Sequence, residues 1–104
     1  MVSKIIWSPE ACADLGNIAR EIAVDRPGFA EEYCLQLIAK MESVAQFPLT
    51  GRKVPGQTSL NLRELILPPY RVIYELHPVA GTLDVLRVWD ARRGDPEIAR
   101  RAFP

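Results

Sequence analysis

Tyr70-Arg71-Val72-Ile73-Tyr74-Glu75-Leu76-His77, then Pro78-Val79-Ala80-Gly81, then Thr82-Leu83-Asp84-Val85-Leu86-Arg87-Val88-Trp89-Asp90: the reading of these three runs decides the fold. The outer two are rich in β-branched and aromatic residues, which suit a pleated, half-buried surface. The run between them carries proline and glycine, the strongest local breakers. Leu60–Leu67 is a third strand-like run, set off by Pro68-Pro69, so an antiparallel meander is expected. Pairing Glu75 with Val85 places Val72, Tyr74, Leu86 and Val88 on one face and Arg71, Ile73, Arg87 and Trp89 on the other. A shift of one residue sets Glu75 opposite Asp84 and mixes Arg87 into the apolar set, which is costly. The first register is therefore expected, with two arginines and an indole on an exposed face.

Upstream the period changes. Residues 3–7 read as a short strand. Ser8-Pro9-Glu10 then opens a helix with a capping hydroxyl, a proline that needs no donor and an early acid. Ala11, Leu15, Ile18 and Ile22 follow at helical spacing, widened by Cys12 and Ala19. Arg26-Pro27-Gly28 breaks the pattern, and a longer helix runs to about Gln46 with Ala30, Cys34, Leu37, Ile38, Met41, Val44 and Ala45 on its apolar side. The two form an antiparallel hairpin. Residues 48–60 read as a loop, and Asp95–Arg101 as a short terminal helix. The order is β-α-α-β-β-β: a single α+β domain over residues 1–104, with the helical hairpin on one face of a mainly antiparallel sheet and the other face wholly or partly open.

The bulk composition is that of a globular chain, 48% hydrophobic and 25% charged over 104 residues. No apolar run approaches the roughly 20 residues of a bilayer span, and Met1-Val2-Ser3-Lys4 leads straight into the first strand without an export signal. Cys12 and Cys34 lack metal-ligand spacing and read as small core residues in a reduced, cytoplasmic setting. No metal or cofactor is expected. The charge is polarised: residues 1–46 carry a net −3 and the remainder +3, which points the C-terminal half at an anionic partner.

Ile5-Ile6-Trp7-Ser8-Pro9-Glu10-Ala11 with Asp14-Leu15, Phe47-Pro48 with Gly51-Arg52, Arg63-Glu64-Leu65, Tyr70-Arg71-Val72-Ile73-Tyr74 and Val88-Trp89-Asp90-Ala91-Arg92-Arg93 occur in this order along the chain. Together they resemble the RelE/ParE superfamily of toxins from type II toxin–antitoxin systems. The resemblance implies a helical hairpin on an antiparallel sheet with the first strand beside the last. It also implies a cognate antitoxin whose C-terminal segment folds onto the toxin with acidic and aliphatic side chains, in an assembly at least heterotetrameric.

The superfamily divides by target: RelE-like members cut mRNA in the ribosome, whereas ParE-like members poison DNA gyrase. Cleavage through the 2′-OH needs a base, an acid and cations for the charged phosphorane. Arg71 matches the strand arginine that serves as such a cation in the nucleases, and Arg92 or Arg93 matches a second. The acid and base are not matched: Ile98–Pro104 has no Tyr, His or Lys, and His77 lies six residues, roughly 20 Å, along the strand from Arg71. Zero net charge also suits ribosomal RNA poorly. The expected function is therefore gyrase inhibition without catalytic residues. The target or antitoxin would be met by Arg63, Arg71, Arg87, Trp89, Arg92 and Arg93. The alternatives are an endonuclease using Arg71, Arg92 and Arg93 with Glu75 or Asp90 as base, and a member that only binds antitoxin. Tyr70 and Tyr74 read as core and edge aromatics, His77 as structural or exposed, and Arg100 and Arg101 as surface charge.

Overall fold

Ser8 ends the first strand and begins the first helix. Its Oγ accepts from the Ala11 N–H at 3.0 Å, capping the helix, and donates to the Leu86 carbonyl at 2.9 Å, fastening that helix end to the sheet. The structure is a computed structural model that describes residues 2–100. Strand β1 (Lys4–Trp7) is followed by α1 (Pro9–Asp25) and α2 (Pro27–Gln46), with Arg26 alone between the helices and a proline in the first turn of each. Ala11 and Ile18 of α1 and Leu37, Met41 and Val44 of α2 are buried against the sheet. Cys12, expected in the core, is exposed, and Cys34 is half-buried. Position 12 lies about 100° around the helix from Ala11, off the stripe that Leu15, Ile18 and Ile22 continue.

Strands β2 (Arg52–Lys53), β3 (Leu62–Leu67), β4 (Tyr70–His77) and β5 (Thr82–Asp90) complete a five-stranded sheet in the order β1-β5-β4-β3-β2. Only the β1–β5 pair is parallel, and it sets the first strand beside the last. The two-residue β2 falls inside the segment expected to be loop, and β3 starts at Leu62 rather than Leu60. Tyr74 ties this loop down: its hydroxyl accepts from the Gly51 N–H and donates to the Pro48 carbonyl, both at 2.8 Å. A Cβ on Gly51 would fall 2.5 Å from that hydroxyl and 2.7 Å from the Glu64 carbonyl, so the close approach requires glycine.

The β4–β5 register corrects the expected one over half its length. Arg71 pairs with Trp89 and Val72 with Val88, as anticipated, but a bulge at Leu86 shifts the ladder by one. Beyond it Tyr74 faces Val85, and Glu75 faces Asp84 rather than Val85. The bulge turns Leu86 away from the helices and into a second cluster with Val54, Leu62 and Ile73. Val72, Tyr74 and Val88 stay beneath the helices, and the same shift brings Val85 to join them. The like-charged pair is tolerated because His77 Nε2 lies 3.2 Å from Glu75 and 3.4 Å from Asp84, and Arg100 pairs with Glu75.

The expected terminal helix does not form over residues 95–100, and Arg101 lies outside the described residues. A 3-10 turn (Ala91–Arg93) and Gly94, at φ 73° and ψ −148°, instead send an extended tail back across the second face of the sheet. Ile98 packs on the second apolar cluster. The Glu97 carbonyl accepts from Arg87, and Asp95 and Arg100 form ion pairs with Arg71 and Glu75. Two carbonyls of this stretch, those of Gly94 and Glu97, accept from Arg71 and Arg87 of the sheet. The face expected to be wholly or partly open is therefore covered in part, with Ile66 at its β3 side still 43% exposed.

Candidate functional site

Arg71 stands on the second face in the middle of the sheet, and it is buried, contrary to its expected exposure. Its Nε donates to Glu64 Oε1 at 2.8 Å, and Nη1 donates to the Gly94 carbonyl at 3.1 Å and to Asp95 at 3.0 Å. Glu64, 1% exposed, gives its other oxygen to Arg52 at 2.6 Å. Burial opposes the Arg71 charge, but hydrogen bonds and charges from Asp95 and Glu64 outweigh it, so the guanidinium is held above its ordinary range.

Arg87 lies at the bulge. It forks onto Asp14 of α1, with Nε to Oδ2 at 2.7 Å and Nη2 to Oδ1 at 2.8 Å, and this pairing raises its pKa further. Asp14 Oδ2 also accepts from the Val88 N–H at 3.0 Å. Strand β1 ends opposite Val85, so Ser8 and Asp14 supply the side-chain partners for the stretch of β5 that β1 no longer covers.

Trp89 receives two cations, the guanidinium carbons of Arg87 and Arg93 at 4.6 and 4.3 Å from its ring centre. Arg92 is exposed and pairs in parallel with Asp90, at 3.0 and 2.7 Å. That side-chain pairing, with the Arg92 backbone N–H, holds the Asp90 carboxyl down at about 2. Arg63 does not join this group. It alternates to the helix side of β3, opposite Tyr74, and donates to the carbonyls of Leu60 and Gly51. Both Tyr70 and Tyr74 are core residues rather than one of them an edge aromatic.

Arg71, Arg87 and Trp89 thus share one neighbourhood, as their expected common face implied, and Arg93 joins them on the Trp89 ring. The carboxylates that hold them, Glu64 and Asp14, were not among the expected site residues. Glu64 had a signal, since it shares alternation with Leu62 on a face that must meet Arg71. Asp14 had a weaker one, an acid one helical turn beyond a capped start. Among the described residues, no group of His, Cys, Asp and Glu is placed to hold a metal ion, and no helix is long and apolar enough to cross a membrane.

Residues 5–94 match the sequence profile of the family described as ParE toxin of type II toxin–antitoxin system, parDE. The chain belongs to this toxin family. It is 30% identical over 93 residues to Toxin RelE2 of Caulobacter vibrioides, covering 88% of this chain and 99% of that protein. Its fold resembles a chain of a solved structure titled chromosomal ParDE TA system from P. aeruginosa, with TM-score 0.70, 22% identity, and coverage of 86% of this chain and 96% of the other. The arginine cluster and the two carboxylates that hold it in place, Glu64 and Asp14, lie within the family match. The tail that reaches Arg71 and Arg87 from residue 95 onward lies beyond it.

Proposed function

We propose that this chain is the toxin of a type II pair, neutralised by a cognate antitoxin in a hetero-oligomeric complex, and that its target is DNA gyrase. The observation that carries the choice of target is the chemistry around Arg71. The side chains that hold it are Glu64 and Asp95, both engaged as its counter-ions. The two carboxylates considered as bases are poorly suited. Asp90, held at about 2 by Arg92, is a weak proton acceptor near neutral pH. Glu75 sits four residues along β4, roughly 13 Å away, against His77 and Arg100. A cationic, aromatic patch of Trp89, Arg92 and Arg93, whose neighbouring carboxylates Asp14 and Asp90 are engaged by Arg87 and Arg92, supports binding to a large anionic or protein target rather than strand cleavage.

The second reading, a ribosome-dependent mRNA endonuclease, draws on the likeness to Toxin RelE2. Plasmid supercoiling with purified gyrase, run beside an in vitro translation reaction, separates the two. Inhibited supercoiling with intact message is expected; codon-positioned mRNA cleavage with supercoiling unaffected would overturn the proposal.

A further inference from the structure

At the far end of the second face, beyond the bulge, Glu75 and Asp84 lie opposite each other on β4 and β5, each 2% exposed. Two carboxylates this deeply placed demand positive charge, because a buried ion is tolerated only when it is paired. The cation that reaches Glu75 Oε2 comes from the tail: it is Arg100, whose side chain is 47% exposed and which belongs to no helix or strand. Glu75 Oε1 is buried without a hydrogen bond and faces His77 Nε2 at 3.2 Å. Arg100 also lines two clefts. One, of about 540 Å³, runs along Asn61, Glu75, His77 and Val79; the other, of about 240 Å³, runs along Trp7, Asp84 and Leu86.

We propose that Glu75 and Asp84 form a guanidinium-binding site, filled in cis by Arg100 and filled in trans by an arginine of the antitoxin when it displaces the tail. The organic cation is favoured over a metal because a guanidinium, that of Arg100, already meets Glu75 here, and among the described residues no group of His, Cys, Asp and Glu is placed to hold a metal ion. A planar fork, by contrast, can span two carboxylates facing each other across a ladder. The neighbouring subsite fixes the spacing. Ile98 packs on Val54, Leu62, Ile73 and Leu86 two residues before Arg100. The antitoxin segment that replaces the tail therefore carries an aliphatic residue followed two places later by an arginine. The trans half rests on the toxin–antitoxin reading; the guanidinium site does not.

The test uses the full chain with Arg100→Ala and Arg101→Ala together, so that neither arginine of the terminus competes. N-Acetylarginine amide at tens of millimolar should raise the melting temperature of this variant by several degrees. The neutral isostere N-acetylcitrulline amide should raise it by less than one. The gain should vanish when Glu75→Gln is added, and it should be small in the unsubstituted chain, whose site is occupied. Equal responses to the two amides, or none, overturn the site. If the double variant does not fold, single variants decide: a guanidinium site requires melting temperatures in the order Arg100, then Arg100→Lys, then Arg100→Gln. A flat order overturns it. The trans half predicts that Glu75→Gln weakens antitoxin affinity at least tenfold, and unchanged affinity overturns that half. Absence of growth arrest by the unsubstituted chain would count against the toxin reading and leave the amide result standing.

Discussion

A single oxygen of Glu64, Oε1, holds Arg71 from two of its nitrogens, Nε at 2.8 Å and Nη2 at 2.7 Å, while the other oxygen holds Arg52. The Glu64 side chain is fully buried and that of Arg71 is 10% exposed. The arginine expected to be a surface cation is thus half of an interior ion pair.

Glu64→Ala should therefore destabilise the fold by about 3–5 kcal/mol, the range for removing one partner of a buried pair. Arg71→Ala should cost less, because Arg52 still neutralises Glu64, but more than the ~0.5 kcal/mol of an ordinary surface change. Urea denaturation of both variants measures this. A Glu64 variant within 1 kcal/mol of the parent would show that water, not Arg71, satisfies the carboxylate.

Asp14 joins α1 to β5 through Arg87 and the Val88 N–H. A double-mutant cycle on Asp14→Asn and Arg87→Ala should give a coupling energy of about 1–3 kcal/mol, since the two groups share a forked, partly buried pair. A coupling below 0.5 kcal/mol would mean that Asp14 acts only through the strand edge.

Much of the fold was legible because several local signals agreed. Ser8-Pro9-Glu10 opened α1 where expected, Arg26-Pro27 separated the helices, and the Val72–Val88 face lay beneath them. The register failed at Leu86 because a bulge adds one residue without altering the alternation that a sequence displays. Glu75 facing Asp84 is costly only where the pair is left alone. Arg100, 25 residues on, supplies the missing charge, and the His77 ring lies between the two carboxylates. The tail misled for a related reason. Asp95-Pro96-Glu97 reads as a helix start, yet Asp95 bonds to Arg71 instead of to its own backbone. The candidate site was half legible: its cations stood out by type and position, whereas its anions came from other elements, Glu64 from the neighbouring β3 and Asp14 from α1, 73 residues before Arg87.

Asp90 supplies a prediction in pH. Arg92 holds its carboxyl at about 2, below the ordinary 3.8. A depressed carboxyl contributes stability that is complete above the unfolded value, near pH 4, and is lost as pH falls through the folded one, near pH 2. An NMR titration of the Asp90 side-chain carbon should show its midpoint near 2, moving back toward 3.8 in Arg92→Ala. A parent midpoint already near 3.8 would mean that solvent breaks the pair.

Arg93 offers the cleanest separation of function from stability. It is exposed, and the contact that places it is with the Trp89 ring. Losing that contact costs about 0.5–1 kcal/mol, far less than losing Arg71. Arg93→Ala should therefore fold nearly as well as the parent. If the Trp89–Arg93 patch meets the target, the variant should need at least tenfold more protein to inhibit gyrase supercoiling. Its affinity for the antitoxin should change much less if the antitoxin is held largely at the Glu75–Asp84 end of the sheet, on the far side of the bulge. Trp89→Phe keeps a ring for the cations and should lose less inhibition than Trp89→Ala. Supercoiling assays over a concentration series, with thermal melts of the same preparations, read both quantities. Full inhibition by a folded Arg93→Ala would remove this patch from target recognition and shift attention to the exposed Arg92.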